Sequence, residues 1–279
     1  MIIIILLILF IPSVLFAWGP ETHIKMALDI LETTNFSLIR NQPAFFILGN
    51  IFPDFFNLFK DISIFKKNLP THSWKTVSLL FENSKNDEER SFSYGYSAHL
   101  AADIIAHNKM IPQHTLLNNK SRLLSHFLVE LASISNEKKI KYILMDALDY
   151  ADSRGEVFLR TFNIEKKYFN RELFILKSAI KMQSVLKISE VASYIKNRKN
   201  PSFSIKCSIY EEKSLEMAKK SVENGFSELM KYDPSGKEAM KKAKEVRTKL
   251  LNNFSKKGLK KHDRENLFNN RFDPNRIND

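Results

Sequence analysis

The stretch Gly95–His107, GYSAHLAADIIAH, carries two histidines and one aspartate within an otherwise apolar run. His99, Asp103 and His107 are four residues apart, so on an α-helix they lie one above another on a single face. This row is about 12 Å long, because each helical residue rises about 1.5 Å. The neighbouring Leu, Ile and Ala residues predict a buried helix, in which a carboxylate between two imidazoles needs a compensating charge. A metal ion supplies that charge, so the row predicts a metal site.

The rest of the sequence is typical of a helical protein. It contains 7 glycines in 279 residues, and long stretches are rich in Leu, Ile, Lys, Glu and Ala. Apolar residues recur at helical spacing and the alternating pattern of a β-strand is missing, which predicts an all-α, multi-helix bundle. The Phe-rich segment 41–69 is predicted to be part loop and part short helix, with its rings in the core rather than at a membrane surface. The predicted helices are 22–31, 91–106, 120–134, 140–160, 171–195 and 209–230.

Composition divides the chain into three parts. Residues 1–17, MIIIILLILFIPSVLFA, are apolar and end in a small residue, which predicts a signal peptide cleaved after Ala17. An uncleaved membrane anchor is the alternative reading of this segment. Residues 18–256 are predicted to form one helical domain, and residues 257–279 a basic, disordered tail. The mature protein is therefore expected to be secreted or periplasmic.

The charge and the cysteine content restrict the expected partners and the means of stabilisation. The net charge of +12 favours anionic partners, such as an acidic membrane, phospholipid head groups or nucleic acid. Cys207 is the single cysteine, so an exported form must rely on its core or on bound metal rather than on a disulfide. The sequence indicates no protein partner, and we expect a monomer.

A second pair of candidate metal ligands follows the first row. His126 and Glu130 are one helical turn apart, and zinc takes imidazole and carboxylate ligands at about 2 Å. Taken alone, such a pair is also typical of a weak surface interaction, and a lone buried histidine is typical of a hydrogen-bonded core residue. The ligand types favour zinc, although they leave Mn or Fe open at one position.

Five short motifs occur in order along the first half of the mature chain. They are Trp18-Gly19 with His23, Gly49-Asn50-Ile51-Phe52-Pro53-Asp54, Thr71-His72-Ser73-Trp74, Gly95-Tyr96-Ser97-Ala98-His99-Leu100-Ala101-Ala102-Asp103, and His126 with Glu130. Together these motifs resemble the zinc-dependent phospholipase C family. The segment around His99 is also similar to the amino-terminal domain of glycosylphosphatidylinositol phospholipase D, and the spacing from Trp18 to His23 resembles that of zinc-dependent single-strand nucleases.

The resemblance implies an all-α bundle that holds three zinc ions in a cleft. Because an α-amine ligates a metal only when it is unblocked, the ligand role of Trp18 depends on cleavage after Ala17. The best-known bacterial phospholipases place the histidine of the third zinc site six residues after the bridging aspartate, not four as at His107, and His114 is the alternative for this role. The implied ligand sets are the amine and carbonyl of Trp18 with His23, then Asp54, His72 and His99, then His107, His126 and Glu130, with Asp103 bridging the first two ions.

The function that follows is hydrolysis of phospholipid head-group phosphoester bonds by a metal-bound hydroxide. The resemblance assigns Asp54 the role of accepting or orienting the proton of the attacking water. Glu21, Phe55 and Phe56 are candidates for contacts to the head group. Two alternatives remain open: a secreted single-strand nuclease or nucleotidase with the same zinc cluster, and a non-enzymatic basic binding protein with structural zinc.

Overall fold

A computed structural model describes residues 18–55, 70–113, 138–185 and 203–254 of the chain. Every regular element within these ranges is helical, which confirms the predicted all-α class. None of the helices in these ranges is long and apolar enough to cross a membrane. The predicted signal segment 1–17, the predicted helix 120–134 and the predicted tail 257–279 fall outside the described residues. The helices are α1 (Pro20–Thr33), α2 (Ser37–Asn41), α3 (Pro43–Phe55), α4 (Trp74–Asn83), α5 (Asp87–Ile105), α6 (Lys138–Asp149), α7 (Ala151–Arg154), α8 (Glu156–Thr161), α9 (Lys166–Val185), α10 (Phe203–Glu223) and α11 (Lys237–Phe254).

Helix α5 lies at the centre of the bundle and packs against both α3 and α10. It begins at Asp87, where the Asn86 side chain accepts a hydrogen bond from the Glu89 backbone N–H at 2.9 Å. Nearly every residue from Ser91 to Ile105 is buried, as expected for a helix covered on more than one side. The central position of α5 explains why its His and Asp side chains are shielded from water.

Two glycines bring the backbones of α3 and α5 into direct contact. A Cβ atom at Gly49 would lie 2.0 Å from the carbonyl oxygen of Phe92, and one at Gly95 would lie 2.1 Å from that of Phe46. Real side chains do not tolerate such distances, so both positions require glycine for close approach. This contact sets the spacing between the two helices that carry Asp54 and the His99 row.

The aromatic residues of α3 form part of the core. The ring of Phe52 lies 5.0 Å from that of Phe92, 5.1 Å from that of Phe158 and 5.7 Å from that of Phe169, measured between centroids. Phe46 and Phe52 are fully buried, and Phe55 is nearly so. The prediction that these rings belong to the core is confirmed for the described part of the segment, in which Pro43–Phe55 form α3.

Two predicted helices differ from the observed elements. The range predicted as one helix, 140–160, is divided into α6, α7 and α8 by breaks at Tyr150 and Gly155. Gly155 packs so closely that a Cβ there would lie 2.5 Å from the Phe52 ring, which is a tertiary constraint that local periodicity does not report. The helix predicted for 209–230 ends earlier, at Glu223, because Gly225 has a positive φ of 77°.

Candidate metal centre

Four side chains from three segments meet at the C-terminal half of α5. They are Asp54 at the end of α3, His72 in the loop before α4, and His99 and Asp103 on α5; one ligand atom of each lies within 4.8 Å of all the others. The His72 Nε2 atom is 3.4 Å from Asp54 Oδ1 and 3.0 Å from Asp103 Oδ2. The His99 Nε2 atom is 3.6 Å and 3.3 Å from the same two oxygens.

Two further histidines complete the surroundings of Asp103. His23 of α1 places Nε2 3.5 Å from Asp103 Oδ1, and its ring stacks on that of His99 with centroids 3.8 Å apart. His107 places Nε2 3.4 Å from Asp103 Oδ2. Asp103 therefore has four imidazole nitrogens within 3.5 Å, from His23, His72, His99 and His107. The structure brings together six of the nine residues predicted as metal ligands.

The donor atoms of this cluster fit a bound cation. Both carboxylate oxygens of Asp103 and both ring nitrogens of His23 lack a hydrogen-bond partner of ordinary geometry within the described residues, although both side chains are fully buried. Buried polar atoms without partners are costly, and a bound cation would supply the missing partner. Ligand atoms about 2 Å from a tetrahedral zinc ion lie about 3.3 Å from one another. The observed separations of 3.0–3.6 Å match that spacing.

The electrostatic environment keeps two of these groups in the forms that bind metal. Burial, with the nearby charge of His99, lowers the pKa of His23 to about 4. Burial alone would raise the pKa of the Asp103 carboxyl, but His99 and His107 outweigh that effect and hold the pKa well below its usual range. Near neutral pH, His23 is thus a neutral imidazole and Asp103 is ionised, as metal ligation requires.

Neighbouring groups fix the orientation of the two central imidazoles. The His99 Nδ1 atom lies 2.7 Å from the carbonyl oxygen of Asn50 in α3, and the His72 Nδ1 atom lies 3.2 Å from the hydroxyl of Thr71. The Tyr96 hydroxyl donates to the Thr71 carbonyl at 2.8 Å. Burial, together with the charge of Asp54, raises the pKa of Tyr96 well above its ordinary value, so the phenol keeps its proton. With both Nδ1 atoms occupied, the Nε2 atoms face the cluster, as in zinc sites whose outer contacts orient the ligands.

Comparison with known families identifies the chain. The sequence profile of a family described as zinc dependent phospholipase C matches residues 22–184, more than half of the 279 residues. The chain belongs to the zinc-dependent phospholipase C family. No curated protein and no solved structure matches the chain. The matched range contains the four clustered residues Asp54, His72, His99 and Asp103, so the family and its metal chemistry agree with the geometry.

A π-turn follows α5 and carries His107, whose Nε2 atom lies 3.4 Å from Asp103 Oδ2. Residues Ala106–Met110 form the turn, in which the Ile111 backbone N–H donates to the carbonyl of Ala106, five residues back. Turns of this type are frequent at functional sites. The side chain of Asn108 donates to the Ile104 carbonyl at 2.9 Å, so this carbonyl near the end of α5 has a side-chain hydrogen-bond donor. The spacing of the histidines predicted a continuous helix face here and gave no sign of the wider turn.

The other predicted site residues stand as follows. Trp18 is fully buried, and its indole Nε1 donates to the Ser214 hydroxyl of α10 at 2.9 Å; the ligand role of its α-amine stays a prediction. Glu21 lies buried in the first turn of α1, where burial raises its pKa. Phe55 is buried beside Phe52, with ring centroids 5.3 Å apart. Phe56, His114, His126 and Glu130 lie outside the described residues, so the predicted third ligand set is represented by His107 alone.

The contact between Thr71 and His72 gives a test of the metal centre. A Thr71→Val variant keeps the shape of the side chain but removes the oxygen that lies 3.2 Å from His72 Nδ1. We expect zinc binding to weaken by about 10- to 100-fold, the usual effect of losing an outer hydrogen bond to a ligand. The measurement is the zinc dissociation constant, obtained by competition with a chelator.

Thr76→Val provides the matched control for that variant. The Thr76 hydroxyl lies in the same part of the chain, and it donates at 2.7 Å to the backbone carbonyl of Pro70 rather than contacting a ligand imidazole. We expect T76V to lose stability of the order of one hydrogen bond, about 1 kcal/mol, with zinc affinity close to that of the parent. Equal zinc affinities for T71V and T76V would contradict the role assigned to Thr71.

Proposed function

We propose that the protein is a zinc-dependent phosphodiesterase that hydrolyses phospholipid head-group phosphoester bonds. The observation that carries the proposal is the buried Asp103 carboxylate with four imidazole nitrogens within 3.5 Å, beside the carboxylate of Asp54. Membership of the zinc-dependent phospholipase C family supports the substrate class. We further propose three zinc ions, held by the residue sets that the family resemblance implies.

The ligands of the cluster differ in their exposure to solvent, and this difference supports an open, catalytic site rather than a closed, structural one. The side chains of His23, His99 and Asp103 are 0% exposed, whereas that of His72 is 9% exposed and that of His107 is 12% exposed. A substrate would therefore approach past His72 and His107. Structural zinc sites are closed by four protein ligands, whereas catalytic sites keep a position open. This difference favours an enzyme over a non-enzymatic binding protein.

The residues of the centre can each be given a role in phosphoester cleavage. Zinc, when bound, supplies a Lewis acid for the phosphoryl oxygens and lowers the pKa of water. His72 and His99, fixed through their Nδ1 atoms, present Nε2 toward the centre at distances of 3.0 Å and 3.3 Å from Asp103 Oδ2. Asp54, 1% exposed, is the residue proposed to accept or orient the proton of the attacking water. The buried imidazoles exclude bulk water from the site.

Glu21 is proposed to contact the head group of the substrate. Its Oε2 atom has no hydrogen-bond partner among the described residues, and burial raises its pKa. A cationic head group next to this carboxylate would favour the ionised form and compensate for the burial. Phe55 and Phe56 are proposed as further contacts, on the basis of their positions directly after Asp54 in the sequence.

Export and processing form part of the proposal. A chain cleaved after Ala17 would begin at Trp18 and offer its free amine as a ligand beside His23, outside the cytoplasm and near a phospholipid surface. Amino-terminal sequencing and elemental analysis of the mature protein test this step. We expect Trp18 as the first residue and three zinc ions per chain; a different first residue would remove the amine from the ligand set.

Substrate comparison tests the proposed reaction. The zinc-loaded protein is assayed with a diacyl phospholipid and, separately, with single-stranded DNA. We expect release of a phosphorylated head group from the lipid. Cleavage of DNA alone would identify the second candidate function, a nuclease, which the net charge of +12 favours. Absence of turnover with either substrate would favour a structural role for zinc.

An Asp54→Asn variant tests the proposed proton acceptor. Asparagine cannot take up the proton, so we expect turnover to fall by about 100-fold or more, as for loss of a general base. Zinc content and the helical circular dichroism signal are measured on the same sample. Parental turnover in D54N would rule out the assigned role, and lost turnover with retained zinc would support it.

A further inference from the structure

The loop Tyr232–Gly236, just before α11, has a fixed shape of its own. Asp233 Oδ1 accepts hydrogen bonds from the Ser235 backbone N–H at 2.9 Å and from the Ser235 hydroxyl at 2.7 Å. Asp233 Oδ2 accepts from the Lys237 backbone N–H at 3.1 Å. The 232–236 loop lies beyond residues 22–184, the range that the family profile matches. Its backbone nevertheless reaches two segments of the metal centre.

The first contact of the 232–236 loop is with the π-turn that carries His107. A Cβ atom at Gly236 would lie 2.5 Å from the His107 carbonyl oxygen and 2.6 Å from the His107 Cβ. Gly236 also has a φ of 60°, in the left-handed region that favours glycine. The side chain of Asn108 donates to the Asp233 carbonyl at 2.7 Å and so ties the π-turn to the loop. The backbone of the 232–236 loop therefore packs directly against His107.

The second contact is with the segment that carries His72. Trp74 begins α4 two residues after His72, and its indole Nε1 donates to the Tyr232 carbonyl at 2.9 Å. The indole also stacks on Phe226, with centroids 5.8 Å apart and ring planes 10° from parallel. One short loop therefore contacts the backbone or close neighbours of both partly exposed histidines of the centre.

We propose that the 232–236 loop is a positioning element that sets His72 and His107 against Asp103. His23 and His99 stack on each other in the core, whereas His72 lies in the loop before α4 and His107 in the π-turn after α5. Metal ligands must be held within about 0.5 Å of a productive geometry by the groups around them. The inference rests on the proposed zinc-dependent function, and it concerns metal binding rather than turnover.

Two glycines with similar backbone conformation give a matched test. Gly236→Ala and Gly225→Ala both place alanine at a positive φ, 60° and 77°, but nothing lies within 4 Å of a Cβ at Gly225. We expect G236A to weaken zinc binding by about 10-fold or more. We also expect G236A to change the visible absorption spectrum of the cobalt(II)-loaded protein, which reports ligand geometry. G225A is expected to match the parent in zinc affinity and in cobalt spectrum.

Asn108→Ala tests the same proposal without a steric clash, because it removes the hydrogen bond to the Asp233 carbonyl together with the local one to the Ile104 carbonyl. We expect a weaker zinc affinity and an altered cobalt spectrum for N108A as well. If G236A does not fold, N108A alone tests the proposal. A zinc affinity and a cobalt spectrum in N108A that equal those of the parent would overturn it. Equal loss of zinc affinity in G225A and G236A would also overturn it, since strain in the fold would then explain both.

Turnover of phospholipid is measured in parallel, so that the two proposals can fail separately. A parent protein that binds zinc and shows the expected differences between G236A and G225A, yet cleaves no phospholipid, would retain the positioning role and lose the proposed function. A parent that cleaves phospholipid while G236A and N108A bind zinc normally would retain the function and lose the positioning role.

Discussion

An Asp103→Asn variant is expected to bind zinc at least about 100-fold more weakly than the parent. This loss is larger than the one expected when only a hydrogen bond to a metal ligand is removed. The Asp103 carboxylate lies within 3.5 Å of the Nε2 atoms of all four imidazoles of the centre, from His23, His72, His99 and His107. Asparagine has nearly the same shape, but it carries no charge and presents an N–H group in place of one acceptor oxygen. Turnover should be lost together with zinc, because every proposed ligand set adjoins this residue.

The zinc-dependent increase in unfolding temperature provides the measurement. A ligand at 100 times its dissociation constant stabilises the folded state by about 2.7 kcal/mol, and D103N should lose that increase. Asp146→Asn is the matched control, because Asp146 is 46% exposed and pairs with Arg154 at 3.2 Å on the surface. We expect D146N to keep the full effect of zinc. A parental response in D103N would show that the metal does not bind at this carboxylate.

Gly95→Ala is expected to destabilise the fold by about 3 kcal/mol or more, at the upper end of the range for overpacked cores. The added Cβ would lie 2.1 Å from the Phe46 carbonyl oxygen and 2.9 Å from the Asn50 backbone nitrogen. Both atoms belong to the backbone of α3, so relief requires the two helices to separate rather than a side chain to rotate. Separation would also disturb the 2.7 Å contact between the Asn50 carbonyl and His99 Nδ1.

The prediction is tested by urea denaturation, which shows whether the free energy of unfolding rises or falls in G95A. In a helix position with space, replacement of glycine by alanine stabilises by up to about 1 kcal/mol. A rise in the free energy of unfolding for G95A would therefore contradict the close helix contact, and a fall would support it. Gly49→Ala is expected to have a similar effect from the other side of the interface, where the added Cβ would lie 2.0 Å from the Phe92 carbonyl oxygen.

The sequence could predict those residues of the centre whose arrangement depends only on their spacing along one segment. Four-residue spacing was enough to place His99, Asp103 and His107 together, although His107 lies in the π-turn rather than on the α-helix itself. His23 and His72 approach α5 from distant positions in the chain, so their participation came from resemblance to a family rather than from spacing. The fold class was predictable for a similar reason, because helical periodicity is a local property of the sequence.

The parts that sequence reasoning missed depend on tertiary contacts. One of the breaks that divide 140–160 is at Gly155, where the Phe52 ring occupies the space that a side chain would need. The π-turn and the 232–236 loop support each other through Asn108 and Gly236, and neither has a periodic pattern to reveal it. Helix α11 was not predicted because Lys and Glu dominate its sequence and Ala243 is its one fully buried residue among those whose side chains are described.

The hydrogen bond between Trp18 and Ser214 has a consequence for the order in which the protein matures. The two residues are 196 positions apart, and the Trp18 side chain is completely buried in the finished fold. During synthesis Trp18 emerges early, whereas the helix that receives its indole emerges after most of the chain has been made. The surroundings of the Trp18 side chain are therefore completed late, and a chain that stops short of α10 would lack the hydroxyl that its indole binds.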